Sequence, residues 1–169
     1  NNPNIPNVLG AVYAGLGKHE EAVTSYHKAI ELKPDYTEAY SNLGNALNTL
    51  GKYEEAVASY NKVIELKPDY TEVYSNLGIV FNKLGQHEEA IANYNKAIEL
   101  KPDYTEAHYN LGNALNKLGQ HEEAITSYNK AIELKPDYTE AHYNLGNALN
   151  ALGKYEEAIT SYNKVIELK

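Results

Sequence analysis

Proline recurs at Pro34, Pro68, Pro102 and Pro136, one every 34 residues, and the stretches between these prolines are near copies of one another. A chain written this way folds by stacking. Each unit has too little apolar surface to close a core alone, so its neighbours must complete it. Function then belongs to a surface that several units build together.

Residues 35–68 serve as the type unit. Asp35 with Glu38 predicts an N-cap and capping-box acid, opening a helix near Thr37. Ala39, Tyr40, Leu43, Gly44, Ala46, Leu47 and Leu50 recur at three- and four-residue spacing, the apolar stripe of an amphipathic helix. Gly51 supplies a left-handed turn. A second helix starts around Glu54 and Glu55, acids at the positive end of its dipole, with a stripe of Tyr53, Ala56, Val57, Tyr60, Val63, Ile64 and Leu66. Lys67 is expected in its last turn, and Pro68 stops it. The product is one antiparallel helical hairpin of two roughly 13-residue helices. Pro3 and Pro6 stand where the first hairpin should begin, so its first helix is expected to be short. Gly44, Gly78, Gly112, Gly146 and the Ala56 series read as small residues where helices approach closely.

The unit closely resembles the tetratricopeptide repeat family, whose pattern of aromatic, Leu-Gly, large residue, Ala, aromatic, Ala and Pro is held here by Tyr40, Leu43, Gly44, Leu47, Ala56, Tyr60, Val63 and Pro68. Leu77, Gly78, Ala90, Tyr94, Ala97 and Pro102 continue it, as do Leu111, Gly112, Ala124, Tyr128, Ala131 and Pro136. His108 and His142 take the usual aromatic place. The resemblance covers residues 3–36, 37–70, 71–104, 105–138 and 139–169, a single array over residues 1–169 with no polar capping helix after the last repeat. It implies an all-α fold, a right-handed superhelical solenoid of antiparallel helix pairs, with the first helix of each repeat on the inner wall.

Composition narrows the function. The net charge is −8, spread evenly over the repeats, and all 15 basic residues are Lys. Phosphate backbones would meet repulsion with no Arg for bidentate contacts, so nucleic acid is excluded as a partner. The absence of Cys removes disulfides, zinc thiolates and a cysteine nucleophile. No apolar run approaches the ~20 residues of a membrane span. The start, Asn1-Asn2-Pro3-Asn4, is no signal peptide, and a cytoplasmic location is expected.

Subtracting the apolar stripe from the first helix of the type unit leaves Glu38, Ser41, Asn42, Asn45, Asn48 and Thr49 as one polar face. Asn costs several tenths of a kcal/mol against Ala in an exposed helix, yet it recurs. Asn42, Asn76, Asn110 and Asn144 form one row; Asn45, Asn113 and Asn147 a second; Asn48, Asn82, Asn116 and Asn150 a third. A carboxamide carries both donors and acceptors and can hold a peptide backbone whatever its side chains. The first row sits where superhelical arrays of the O-GlcNAc transferase type carry an asparagine ladder for extended peptides, and the resemblance implies the same role. Repeat three breaks the second row with Ile79, an apolar contact in mid-groove or simple drift, and changes the packed stripe at Val80 and Phe81. Ser41 and Ser75 give way to Tyr109 and Tyr143, which should make the later part of the groove more aromatic.

No catalytic, metal or cofactor site is expected. Copies of His108 and His142 should stand roughly 10 Å apart, one helix-pair spacing, too far to share a zinc ion. His87-Glu88-Glu89 and His121-Glu122-Glu123 lack the second His of a zinc-protease helix. The reading is therefore a non-enzymatic scaffold that binds an extended peptide or partner helix in its groove. The alternatives are a module that stacks end to end through its terminal repeats, exposing Ala158, Ile159, Tyr162 and Ile166, or the recruiting domain of a larger enzyme such as a glycosyltransferase.

Overall fold

The structure, a computed structural model, describes residues 2–168. Asn1, and Lys169 at the end of the fifth expected repeat, lie outside the described residues. The described residues form helices and turns: α1 (Asn4–Gly15), α2 (His19–Leu32), α3 (Thr37–Thr49), α4 (Tyr53–Leu66), α5 (Thr71–Lys83), α6 (His87–Leu100), α7 (Thr105–Lys117), α8 (His121–Leu134), α9 (Thr139–Ala151) and α10 (Tyr155–Glu167). The chain divides into two compact units, Asn1–Leu84 with α1 to α5 and Gly85–Lys169 with α6 to α10.

Within each unit every helix packs on its sequence neighbour. Contacts between alternate helices occur only among odd ones among the described residues: α1 with α3 and α3 with α5 in the first unit, α7 with α9 in the second. The odd helices of a unit therefore lie closer together than the even ones and line its inner wall.

Three sequence details come out differently. The helix opens at Thr37 as expected, but the cap residue is Tyr36 and no side chain caps it. Asp35 lies one position too early and instead accepts the Thr37 N–H through its backbone oxygen. Lys67 falls just outside α4, with its Nζ 5.2 Å from the centroid of the Tyr70 ring; Lys33, Lys101 and Lys135 sit over Tyr36, Tyr104 and Tyr138 in the same way. The first helix is not short. It runs 12 residues from Asn4 with Pro3 as its cap, because Pro6 falls in the first turn, where a missing N–H leaves no bond unmade.

Two kinds of glycine hold the hairpins. Gly51, Gly119 and their copies end the odd helices with φ between 73° and 75°, a left-handed turn that side-chain-bearing residues rarely adopt. Gly44 and Gly112 act by contact. A Cβ on Gly44 would meet Tyr60 Cε1 at 2.5 Å, and one on Gly112 would meet Tyr128 Cε1 at 2.6 Å. These tyrosines are almost fully buried, so the rings of Tyr60 and Tyr128 lie against the glycines of the odd helices before them. Ala56, Ala90 and Ala124 are likewise buried, as their small size required, and Val80 is a buried core substitution.

Gly112→Ala therefore has a sign that decides the point. Helix propensity alone would stabilise the chain by ~1 kcal/mol, whereas the clash with the Tyr128 ring should destabilise it by about 1–3 kcal/mol. Urea denaturation followed by circular dichroism should show the loss; a gain in stability would contradict the packing described.

Candidate functional site

The candidate residues all lie on odd helices. Asn42, Asn45 and Asn48 are on α3, Asn76, Ile79 and Asn82 on α5, Tyr109, Asn110, Asn113 and Asn116 on α7, and Tyr143, Asn144 and Asn147 on α9. Most are half-buried, Asn45 and Tyr143 are exposed, and Ser41, read from sequence as part of the same face, is buried.

The asparagines are first of all bonded within the chain. Asn45 Oδ1 accepts from the Tyr60 hydroxyl at 2.7 Å and from Asn76 Nδ2 at 3.1 Å. Asn113 Oδ1 accepts from the Tyr128 hydroxyl and from Asn144 Nδ2, both at 2.9 Å. Asn147 Oδ1 accepts from Tyr162 at 2.9 Å. The second row is thus a set of acceptors, each filled by the tyrosine 15 residues later, and Asn45 and Asn113 also by the first-row asparagine of the next repeat. Two donors occupy both lone pairs of such an oxygen and point its NH2 group the other way.

The polarity of the rungs follows. The NH2 groups of Asn45, Asn113 and Asn147 donate no hydrogen bond, and the Oδ1 atoms of Asn42, Asn76 and Asn144 accept none, among the described residues. Donors from one row therefore alternate with acceptors from the next. Asn110 makes no hydrogen bond at all among the described residues. In the third row, Asn48 Oδ1 accepts from Lys83 Nζ at 2.8 Å, and Asn116 Oδ1 accepts from His121 Nδ1 at 2.7 Å.

Tyr109, half-buried, packs among other tyrosines. Its ring stands 4.8 Å from Tyr138 and 6.1 Å from Tyr128, and its hydroxyl accepts from Asn144 Nδ2 at 3.0 Å. It is a packing residue between repeats four and five. Tyr143, against Tyr162 at 6.0 Å, is the exposed one. His108 Nε2 donates to the Pro102 carbonyl at 2.9 Å and His142 Nε2 to that of Pro136 at 3.0 Å, as the Tyr74 hydroxyl does to Pro68. The two histidines therefore replace tyrosine as donors to a linker carbonyl. Sequence reasoning missed the roles of Tyr60, Tyr128 and Tyr162; their constant offset from Asn45, Asn113 and Asn147 was the available signal.

Among the described residues no three His, Cys, Asp or Glu side chains are grouped to hold a metal ion, and no helix is long and apolar enough to cross a membrane. The buried phenols are what the electrostatics perturb. Burial pushes the Tyr60 hydroxyl well above its usual range, and burial with the neighbouring Tyr109 does so for Tyr128. Tyr138 is pushed up to about 12, chiefly by burial, with Tyr109, Glu140 and Glu106 adding to it.

A raised acid pKa in the folded state means the folded chain holds its proton more tightly than the unfolded chain. The associated stability is complete below pH ~10, the ordinary phenol value, and is lost as pH rises through the folded values. Melting temperature should therefore fall from pH ~10 upward, and phenolate absorbance should show a late class of tyrosines that ionises only as the fold is lost. Ordinary, uniform titration of all tyrosines with the fold intact would contradict this.

Family models described as TPR repeat match residues 10–51, 44–85, 80–119 and 112–151, and one described as tetratricopeptide repeat matches residues 139–169. No curated protein sequence matches the chain. Among solved structures, the chain is similar to a MamA protein with 28% identity and a TM-score of 0.90, covering 98% of this chain and 91% of that one. It is similar to residues 41 to the end of MamA from Desulfovibrio magneticus RS-1, with 26% identity, a TM-score of 0.92 and coverage of 98% and 94%. YrrB, described as a TPR protein with an unusual peptide-binding site, shares 26% identity at a TM-score of 0.81, with coverage of 97% and 84%.

Proposed function

The chain belongs to the tetratricopeptide repeat family, and we propose on that footing that it is a protein-interaction scaffold whose odd helices hold an extended peptide. The observation that carries this reading is the alternation of unused amide groups. The NH2 groups of Asn45 and Asn113 offer donors, and the Oδ1 atoms of Asn42, Asn76 and Asn144 offer acceptors, in orientations already set by internal bonds. An extended backbone presents one N–H and one C=O per residue and meets such an alternation without reference to its side chains. The likeness to YrrB, itself described as having a peptide-binding site, supports the same class of ligand. Each hydrogen bond contributes only ~0.5–1.5 kcal/mol net, and ordering the peptide opposes them, so micromolar affinity or weaker is expected. On this reading the five repeats act as one array, and the scaffold is not itself catalytic.

Asn110→Ala is the cleanest test, because Asn110 makes no internal hydrogen bond among the described residues. With a peptide selected by display against the whole chain, titration calorimetry should show an affinity roughly 2- to 13-fold weaker at unchanged melting temperature. Unchanged affinity in both Asn110→Ala and the double variant Asn76→Ala with Asn110→Ala would sink the reading.

A second reading, end-to-end association, is favoured by the terminal helices. Ile5, Val8, Leu9, Val12 and Leu16 of α1 are exposed, as are Tyr155, Ile159 and Ile166 of α10. Of the flank anticipated from sequence, Ala158 and Tyr162 belong instead to the packing against α9, Ala158 being buried and Tyr162 bonded to Asn147. If the faces associate, sedimentation should show mass rising with concentration, and Ile159→Lys should abolish the rise while leaving peptide affinity unchanged. A mass that stays monomeric throughout removes this reading.

A further inference from the structure

The first repeat lacks asparagine at both positions that carry the internal hydrogen bonds in repeats two and four. Ala11 stands where Asn45, Asn113 and Asn147 stand, and Ala14 where Asn48 and Asn116 stand. The partners of the missing carboxamides are still present. Tyr26, the counterpart of Tyr60 and Tyr128, has a buried ring, 3% exposed as a residue, while its hydroxyl makes no hydrogen bond among the described residues and is open to solvent. His19, the counterpart of His121, has a buried Nδ1 with no partner. Asn42, the counterpart of Asn144, keeps its bond to Asn7 at 3.1 Å but lacks the second one, which Asn144 makes to Asn113.

These groups surround a cavity of about 240 Å³ lined by Ala11, Ala14, His19, Tyr26, Asn42 and Asn45, among others. The lining holds no Asp, Glu, Lys or Arg. The Tyr26 hydroxyl and the spare N–H groups of Asn42 and Asn45 are donors. Asn42 Oδ1, and His19 Nδ1 when the ring carries its hydrogen on Nε2, are acceptors. A primary carboxamide answers both kinds in one planar, neutral group, with an oxygen beside an NH2. We infer that this cavity takes the primary carboxamide of a glutamine or asparagine side chain on a bound peptide, so that the ligand supplies what Asn113 supplies internally in repeat four. The inference rests on the groove reading for the peptide that delivers the side chain, while the cavity itself is testable with a small probe. A carboxylate is the poorer guest: it brings no hydrogen to Asn42 Oδ1 and carries its charge into a chain of net charge −8.

The probe is N-acetyl-glutamine N-methylamide, with the alanine and glutamate counterparts as controls, titrated into the whole chain and followed by amide chemical shifts in NMR. The glutamine compound should give saturable shifts at residues 11, 14, 19, 26, 42 and 45, and the controls none there. Tyr26→Phe keeps the ring against Gly10 and removes only the hydroxyl, so it should weaken the titration roughly 2- to 13-fold. Ala11→Asn should close the site altogether. Equal shifts from the alanine compound, or undiminished binding by Tyr26→Phe, would overturn the assignment. The groove reading fails separately: if display-selected peptides ignore Asn76→Ala with Asn110→Ala while the glutamine probe still binds, the ladder falls and the cavity stands. If the selected peptides need those asparagines but the glutamine probe does not bind, the cavity falls alone.

Discussion

The structure depends on a tyrosine ring laid on a glycine. In each hairpin of this kind the ring of the even helix occupies the space a Cβ would fill on the odd helix, at 2.5–2.6 Å from Cε1. That approach brings the phenol through the helix pair to the opposite side, where its hydroxyl reaches an asparagine 15 residues back at 2.7–2.9 Å. Core packing and the polar face are therefore one device. The burial that keeps the phenol protonated and donating is the burial that holds the hairpin together, and the glycine makes both possible.

The second consequence is directional. An exposed asparagine row with no anchoring would turn its amides freely and offer donors and acceptors at random. Here the tyrosine hydroxyl, a donor to each second-row oxygen, fixes which end of that amide faces outward, and the first-row NH2 group of the next repeat adds a second donor to the same atom. Rungs set in advance lose less freedom when a ligand binds, which is where preorganised sites gain affinity. Ala11 interrupts the device within the first unit, and a cavity with unused partners remains there.

Much of this was legible in the residues. The turn glycine at Gly51, the acids opening α4, the stop at Pro68 and the small residues at Gly44 and Ala56 each follow from a local rule that the structure obeys. The capping box at Asp35 failed because a local motif competes with tertiary packing: Tyr36, buried against α1 with its hydroxyl donating to Asn4 and accepting from Asn7, sets the helix entry one residue later. Ser41 was misplaced for a related reason. Subtracting an apolar stripe treats a helix as having two sides, whereas α3 touches four neighbours within its unit, so a position between faces packs. The bonds from Tyr60 and Tyr128 were invisible to a one-helix reading because they join residues on different helices.

The most direct measurement is the affinity of a display-selected peptide for Tyr128→Phe compared with the unaltered chain. Phe keeps the ring on Gly112 and beside Tyr109 and removes only the hydroxyl that orients Asn113. The account predicts an affinity about 2- to 10-fold weaker with the fold intact by circular dichroism. An affinity equal to that of the unaltered chain would contradict it, since the face would then owe nothing to the tyrosine beneath it.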